Sequence, residues 1–94
     1  MILLSPHAAR DIERLREFIE VKDKSAAKRA LLAIWNALER LEEFPDLGRP
    51  TEDDRIRQIV IRFGNAGYVC RYVVMPDTAD IFILRIWHGR EARP

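Results

Sequence analysis

Two spacings of apolar residues divide the chain. Ala8, Ile12, Leu15 and Ile19 recur at intervals of four, three and four, and Ala27, Leu31, Ile34, Leu38 and Leu41 repeat the same pattern. Such spacing puts each set on one stripe of a helix. Ser5 is the expected N-cap of the first helix, with Pro6 at its first position. Asp11 and Glu13 stand early in it, where they favour its positive end. This helix is predicted to end near Val21–Lys24. Ser25 is the cap candidate for the second, and Pro45 stops it. A very short link makes the pair an antiparallel hairpin. Ahead of them, Ile2-Leu3-Leu4 reads as a short strand.

After the polar loop over residues 45–55 the period changes to two. Arg57–Phe63 is predicted as a strand with Ile59, Ile61 and Phe63 on one face. Gly64-Asn65-Ala66-Gly67 is the hairpin loop. Tyr68–Val74 and Ile81–His88 are the next strands, with a turn over Pro76-Asp77-Thr78-Ala79-Asp80 between them. The order β-α-α-β-β-β specifies an α+β fold, a helical hairpin packed on one face of a small antiparallel sheet. In the last strand strict alternation places Phe82, Leu84 and Ile86 toward the core. The other face then holds Ile81, Ile83, Arg85 and Trp87, beside Val69, Arg71 and Val73 of the preceding strand. A face mixing aliphatics, tryptophan and arginine has the composition of a partner-binding surface. The competing reading is a curved sheet that buries both faces.

Composition narrows the class. The 94 residues make one small domain spanning 1–94, and 48% of them are hydrophobic, enough for one core and against disorder. No apolar run approaches the roughly 20 residues of a membrane span. Met1-Ile2-Leu3-Leu4 has no basic leader and is broken by Ser5-Pro6, so it is not read as a signal peptide. One cysteine, Cys70, makes no internal disulfide and suits a reducing compartment. The expected location is the cytoplasm. The net charge of +1 is uneven: residues 1–54 hold 9 Lys/Arg against 12 Asp/Glu, and residues 55–94 hold 7 Arg against 3 Asp/Glu. The arginine-rich second part suits an acidic protein or RNA, since guanidinium groups make forked contacts to carboxylate and phosphate.

Four stretches together resemble a known family. They are Phe44-Pro45-Asp46-Leu47-Gly48-Arg49-Pro50, Arg57-Gln58-Ile59-Val60-Ile61, Tyr68-Val69-Cys70-Arg71-Tyr72, and the ending Arg85-Ile86-Trp87-His88-Gly89-Arg90-Glu91-Ala92-Arg93-Pro94. The helix start Ser5-Pro6-His7-Ala8-Ala9-Arg10-Asp11-Ile12 joins them. In this order they resemble the ParE branch of the RelE/ParE toxins, the poison halves of bacterial type II toxin–antitoxin pairs and plasmid-stabilisation systems. The resemblance implies one of two activities. ParE-type members poison DNA gyrase by protein contact and carry no catalytic chemistry. RelE-type members are ribosome-dependent mRNA endoribonucleases. Both are neutralised by an antitoxin whose C-terminal segment wraps the toxin. The partner implied here is a ParD-like antitoxin in a hetero-oligomer, with gyrase as the target. A degenerate, non-toxic binding module is a third reading.

The residues favour the inhibitor over the nuclease. RNA cleavage by a 2′-hydroxyl needs a base, an acid and a positive group for the phosphate. His88 is the acid–base candidate, and Arg71 and Arg85 are the phosphate candidates. Strand parity points His88 away from Arg85. The loop before the second strand carries Glu52, Asp53 and Asp54, which repel phosphate, where the resemblance implies basic residues in a RelE-like nuclease, and the tail lacks the terminal tyrosine that the resemblance implies for some of those nucleases. No catalytic residue is therefore assigned, and sequence-specific nucleic-acid binding is not expected. The antitoxin-binding set is Val69, Arg71, Val73, Ile81, Ile83, Arg85 and Trp87. Gyrase contacts are not identified. No cofactor is expected, and no metal, since Cys70 has no second thiol and His7 lies far from His88. Trp35, Tyr68 and Tyr72 are assigned to packing, and Cys70 to the core.

Overall fold

The computed structural model describes residues 1–91. The last three residues of the C-terminal motif, Ala92-Arg93-Pro94, lie outside the described residues. The elements are β1 (Ile2–Leu4), α1 (Pro6–Glu20), α2 (Lys24–Glu43), a 3-10 turn (Pro45–Leu47), β2 (Arg49–Pro50), β3 (Ile56–Phe63), β4 (Ala66–Val74) and β5 (Ile81–His88).

Local chemistry sets the helix ends. The Ser5 hydroxyl accepts the Ala8 N–H at 2.9 Å and donates to the Leu84 carbonyl at 2.8 Å, so the cap also ties α1 to β5. The second cap is Asp23, not Ser25. Its carboxylate accepts the Ala26 N–H at 3.1 Å, while the Ser25 hydroxyl accepts from Arg29. Pro45 ends α2 at Glu43 and opens the 3-10 turn.

The sheet order is β1-β5-β4-β3-β2. β1 pairs parallel with β5, and every other pairing is antiparallel, so the sheet is mixed. Three apolar residues in a row carry no direction, which is why an all-antiparallel sheet was the expectation. Gly64, at φ +57°, is the first residue of a two-residue turn with Asn65. Phe63 and Ala66 then pair directly, and β4 starts two residues before the expected Tyr68.

The last strand departs from alternation. Arg71 pairs with Arg85, but the next residue, Tyr72, pairs with Ile83, so Leu84 is an extra residue in β5. Such a bulge inverts the faces of everything beyond it. Ile81 and Ile83 point into the core before it, Ile86 points inward after it, and all three are fully buried. Phe82 and Leu84 are only partly buried, so the expected inward set Phe82, Leu84, Ile86 holds for Ile86 alone. The core brings Ala8, Leu15, Ile34, Leu38 and Leu41 of the helices against Ile61, Tyr68, Cys70, Tyr72, Ile81, Ile83 and Ile86 of the sheet. Among the described residues, no helix is long and apolar enough to cross a membrane.

Candidate protein-interaction site

The loop after α2 is strapped to the sheet by residues from three of the motif stretches. The Tyr72 hydroxyl donates to the Pro45 carbonyl at 2.7 Å and accepts the Gly48 N–H at 2.8 Å. Arg57 donates to the Gly48 carbonyl at 2.7 Å. A Cβ at Gly48 would sit 2.7 Å from the Tyr72 oxygen, so this close approach needs glycine. The knot sets Arg49 and Pro50 against Gln58 and Arg57, and β2 stops there.

That stop leaves a sheet edge open. Ile56 donates its N–H to Asp53 and accepts from the Thr51 N–H on the β2 side. Main-chain groups recur on one edge every second residue, so Val60 and Arg62 present theirs to the same side, past the end of β2. A groove of about 910 Å³ runs along this edge, with Ala33, Asn36 and Ala37 of α2 as its other wall. The small alanines leave the width. Arg40, Arg49 and Arg62 line it, and none has a carboxylate partner among the described residues.

The outer sheet face adjoins the groove. Val69 and Trp87 are cross-strand partners there, and the Arg71 guanidinium lies 5.7 Å from the Trp87 ring centre. Arg71 also donates to Gln58 at 3.0 Å and meets Glu52 at 3.5 Å. Trp87 is thereby only 7% exposed, although it faces away from the helices. Val73 lies on the same face and is partly buried. Ile81 and Ile83 are corrected: the bulge turns both into the core, and they offer no surface to a partner.

Arg85 is engaged elsewhere. It donates to both Asp11 oxygens, at 2.8 and 3.1 Å. Asp11 is buried within α1 and also accepts Arg14 at 2.7 Å and the Ile86 N–H at 2.9 Å. Burial pushes the Asp11 carboxyl up, but the bonds from Arg85, Arg14 and Ile86 outweigh it and hold the pKa below the usual value. Asp11 is therefore not a dipole partner in the first turn. It closes the edge of β5 beyond β1. Its place in the helix gave a signal, because it falls three residues after Ala8 and four before Leu15, on the inward stripe.

His88 and Arg71 lie on opposite sides of the sheet. His88 pairs with Tyr68 on the core-facing side, with ring centres 5.5 Å apart, and its Nδ1 accepts the Arg90 N–H at 3.0 Å. Of the three acids in the loop, Glu52 meets Arg71, and Asp53 is held by Arg55 at 2.9 Å. Cys70 is fully buried, and burial pushes its thiol up to about 12, so it is neutral and inert. Tyr68 and Tyr72 are core residues, whereas Trp35 is 38% exposed on α2. Among the described residues, no cluster of three or more His, Cys, Asp or Glu is placed to hold a metal. Sequence reasoning missed Gln58, which positions Arg71, and the arginine-lined groove.

The comparisons with known proteins agree with this architecture. The family described as ParE toxin of type II toxin-antitoxin system, parDE, matches residues 2–93. Toxin RelE3 of Caulobacter vibrioides is 39% identical over 90 residues, covering 96% of this chain and 95% of that protein. Toxin RelE1 of the same organism is 37% identical over 92 residues, covering 98% and 96%. In fold, the chain is similar to a solved structure titled chromosomal ParDE TA system from P. aeruginosa, with a TM-score of 0.75, 22% identity and 90% of each chain covered. A family match over nearly the whole length, with relatives above a third identical, makes this chain a member of the ParE toxin family of type II toxin–antitoxin systems.

Proposed function

We propose that the toxin inhibits DNA gyrase through protein contact, without catalytic chemistry of its own, and is neutralised by a ParD-like antitoxin. The observation that carries the non-catalytic reading is the dispersal of the nuclease candidates. Arg71 is stacked on Trp87 beside Glu52, Arg85 is bound to Asp11, and His88 lies on the other side of the sheet. A ribonuclease needs acid, base and phosphate clamp around one reacting atom. The gyrase target is drawn from the family.

The antitoxin is proposed to dock along the open edge of β3 and across the outer face. An extended segment adding a strand beside Val60 and Arg62 would satisfy their main-chain groups. Its carboxylates would meet Arg40, Arg49 and Arg62, and its apolar side chains would cover Val69, Val73 and Trp87. Arg71 would exchange Glu52 for an incoming carboxylate. A chain disordered when free and ordered on binding supplies both features.

The second reading is a ribosome-dependent mRNA endoribonuclease, and the names of the two Caulobacter relatives favour it. Purified toxin assayed with gyrase and supercoiled plasmid, beside translating ribosomes with mRNA, separates the two. Inhibition of supercoiling or trapped DNA cleavage with intact mRNA supports the first, and cut mRNA with unaffected gyrase supports the second.

A further inference from the structure

A second cleft lies on the helix-covered face too, but at β5 rather than β3. It holds about 420 Å³ between the C-terminal half of α1 and the end of β5, and it shares no lining residue with the groove at β3. Leu15 and Phe18 form its floor, and Arg14, Lys22, His88, Arg90 and Glu91 form its rim. Phe18 is 58% exposed, and the neighbouring Val21 is 87% exposed.

The rim has donors without acceptors. Its one carboxylate, Glu91, is already engaged: it accepts the His88 N–H at 2.8 Å and pairs with Arg14 at 3.1 Å. Arg14 is in turn occupied by Asp11 and Glu91. Lys22 has only the Phe18 ring, 5.1 Å away, and no carboxylate among the described residues. The Arg90 guanidinium likewise has none among the described residues. The His88 Nδ1 accepts the Arg90 N–H, so the neutral ring carries its proton on Nε2. Three donors thus surround an apolar floor that a purely structural role does not require.

We propose that this cleft is the toxin's second recognition site, where an acidic segment of its protein target binds. An apolar side chain of that segment rests on Leu15 and Phe18, and a carboxylate sits between Lys22 and Arg90. The anatomy is that of a protein interface, an apolar centre within a charged rim. Nucleic acid fits less well. The Phe18 ring is already faced by Lys22 and the His88 ring is packed against Tyr68, so neither is an open stacking platform. The inference rests on the reading that the toxin acts by protein contact, and it adds that antitoxin and target have separate sites.

The test is the double charge reversal Lys22→Glu with Arg90→Glu, both exposed positions outside the core. The variant should melt like the parent and bind antitoxin within about twofold of it. Its growth inhibition should fall, and its half-inhibitory concentration against gyrase should rise about tenfold or more. Lys22→Arg with Arg90→Lys should keep both activities. A folded charge-reversed toxin that arrests growth like the parent overturns the proposal. If parent toxin leaves gyrase untouched, the gyrase reading has failed, and the cleft is judged by growth arrest and by direct titration. An alternating Glu-Leu peptide added to isotope-labelled toxin–antitoxin complex should shift the His88 ring and the Phe18, Lys22 and Arg90 amides. Shifts confined to the β3 groove, no shifts, or displacement of the peptide by an RNA oligonucleotide would contradict it.

Discussion

Asp11, buried in the second turn of α1, accepts two hydrogen bonds from Arg85, which lies 74 residues later on β5. The same carboxylate takes the Ile86 N–H, so one helix residue seals a strand edge that β1 is too short to cover. Its folded pKa lies below that of an unfolded aspartate, about 3.9. The stabilisation is therefore complete above that value and is lost as pH falls through the folded pKa. Asp11→Asn should cost about 2–3 kcal/mol at neutral pH. Its deficit against the parent should shrink below about pH 4. Chemical denaturation across a pH series checks this, and a deficit that stays constant to low pH would mean the charge is not what matters.

The bulge at Leu84 makes a prediction that simple alternation inverts. Ile83→Ala removes a fully buried side chain and should cost about 2–5 kcal/mol. Phe82→Ala, on the partly exposed outer face, should cost clearly less, despite the larger residue. Leu38→Ala, at the fully buried centre of α2, should match Ile83→Ala. Thermal or urea melts rank the three, and Phe82→Ala as the most damaging would restore the alternating register.

The knot at Tyr72 predicts a loss without any change in apolar packing. Tyr72→Phe leaves the Gly48 N–H and the Pro45 carbonyl without their partner and should cost about 1–3 kcal/mol. Gly48→Ala should be at least as harmful, because its methyl group meets the Tyr72 ring. Since the knot also holds β2, both variants should bind antitoxin more weakly than their stability loss alone explains. Binding measured well below the melting temperature separates the two effects.

These positions show how much was legible in the chain. The period-3.6 stripes placed both helices, and the period-2 runs placed the three long strands. The knot residues fell within the motif stretches, although nothing in their spacing revealed that Tyr72 reaches Pro45. The inserted Leu84 was hidden by its context. Ile81-Phe82-Ile83-Leu84 is apolar throughout, so no polar residue marks where the phase slips. Two antitoxin candidates, Ile81 and Ile83, were misplaced for that reason alone. Asp11 looked like a helix-start acid because a buried carboxylate is legible only once its arginine, far along the chain, is placed beside it. The two-residue β2 was too short for any periodicity, and with it went the open edge of β3.

For the antitoxin, Trp87→Ala should weaken binding by about 2 kcal/mol or more, roughly thirtyfold, when measured on folded protein, since the ring is only 7% exposed and its loss also lowers stability. Paired reversal of Arg40 and Arg62 to glutamate should chiefly slow association and flatten its salt dependence. Arg85→Ala should act first through stability, since Arg85 is bound to Asp11. Surface-immobilised antitoxin with salt-dependent kinetics measures all three. Parent-like rates for Trp87→Ala and for the reversed pair would move the interface elsewhere.

The proposal to be tested is that this toxin poisons gyrase by contact and cuts no RNA. It is tested most directly with one purified, folded preparation in two parallel reactions, gyrase with supercoiled plasmid and programmed ribosomes with mRNA. Impaired supercoiling or trapped DNA breaks, reversed by antitoxin, with full-length mRNA recovered from the ribosomes, is the expected result. Cleaved mRNA that disappears in His88→Ala or Arg71→Ala, with gyrase unaffected, would contradict it.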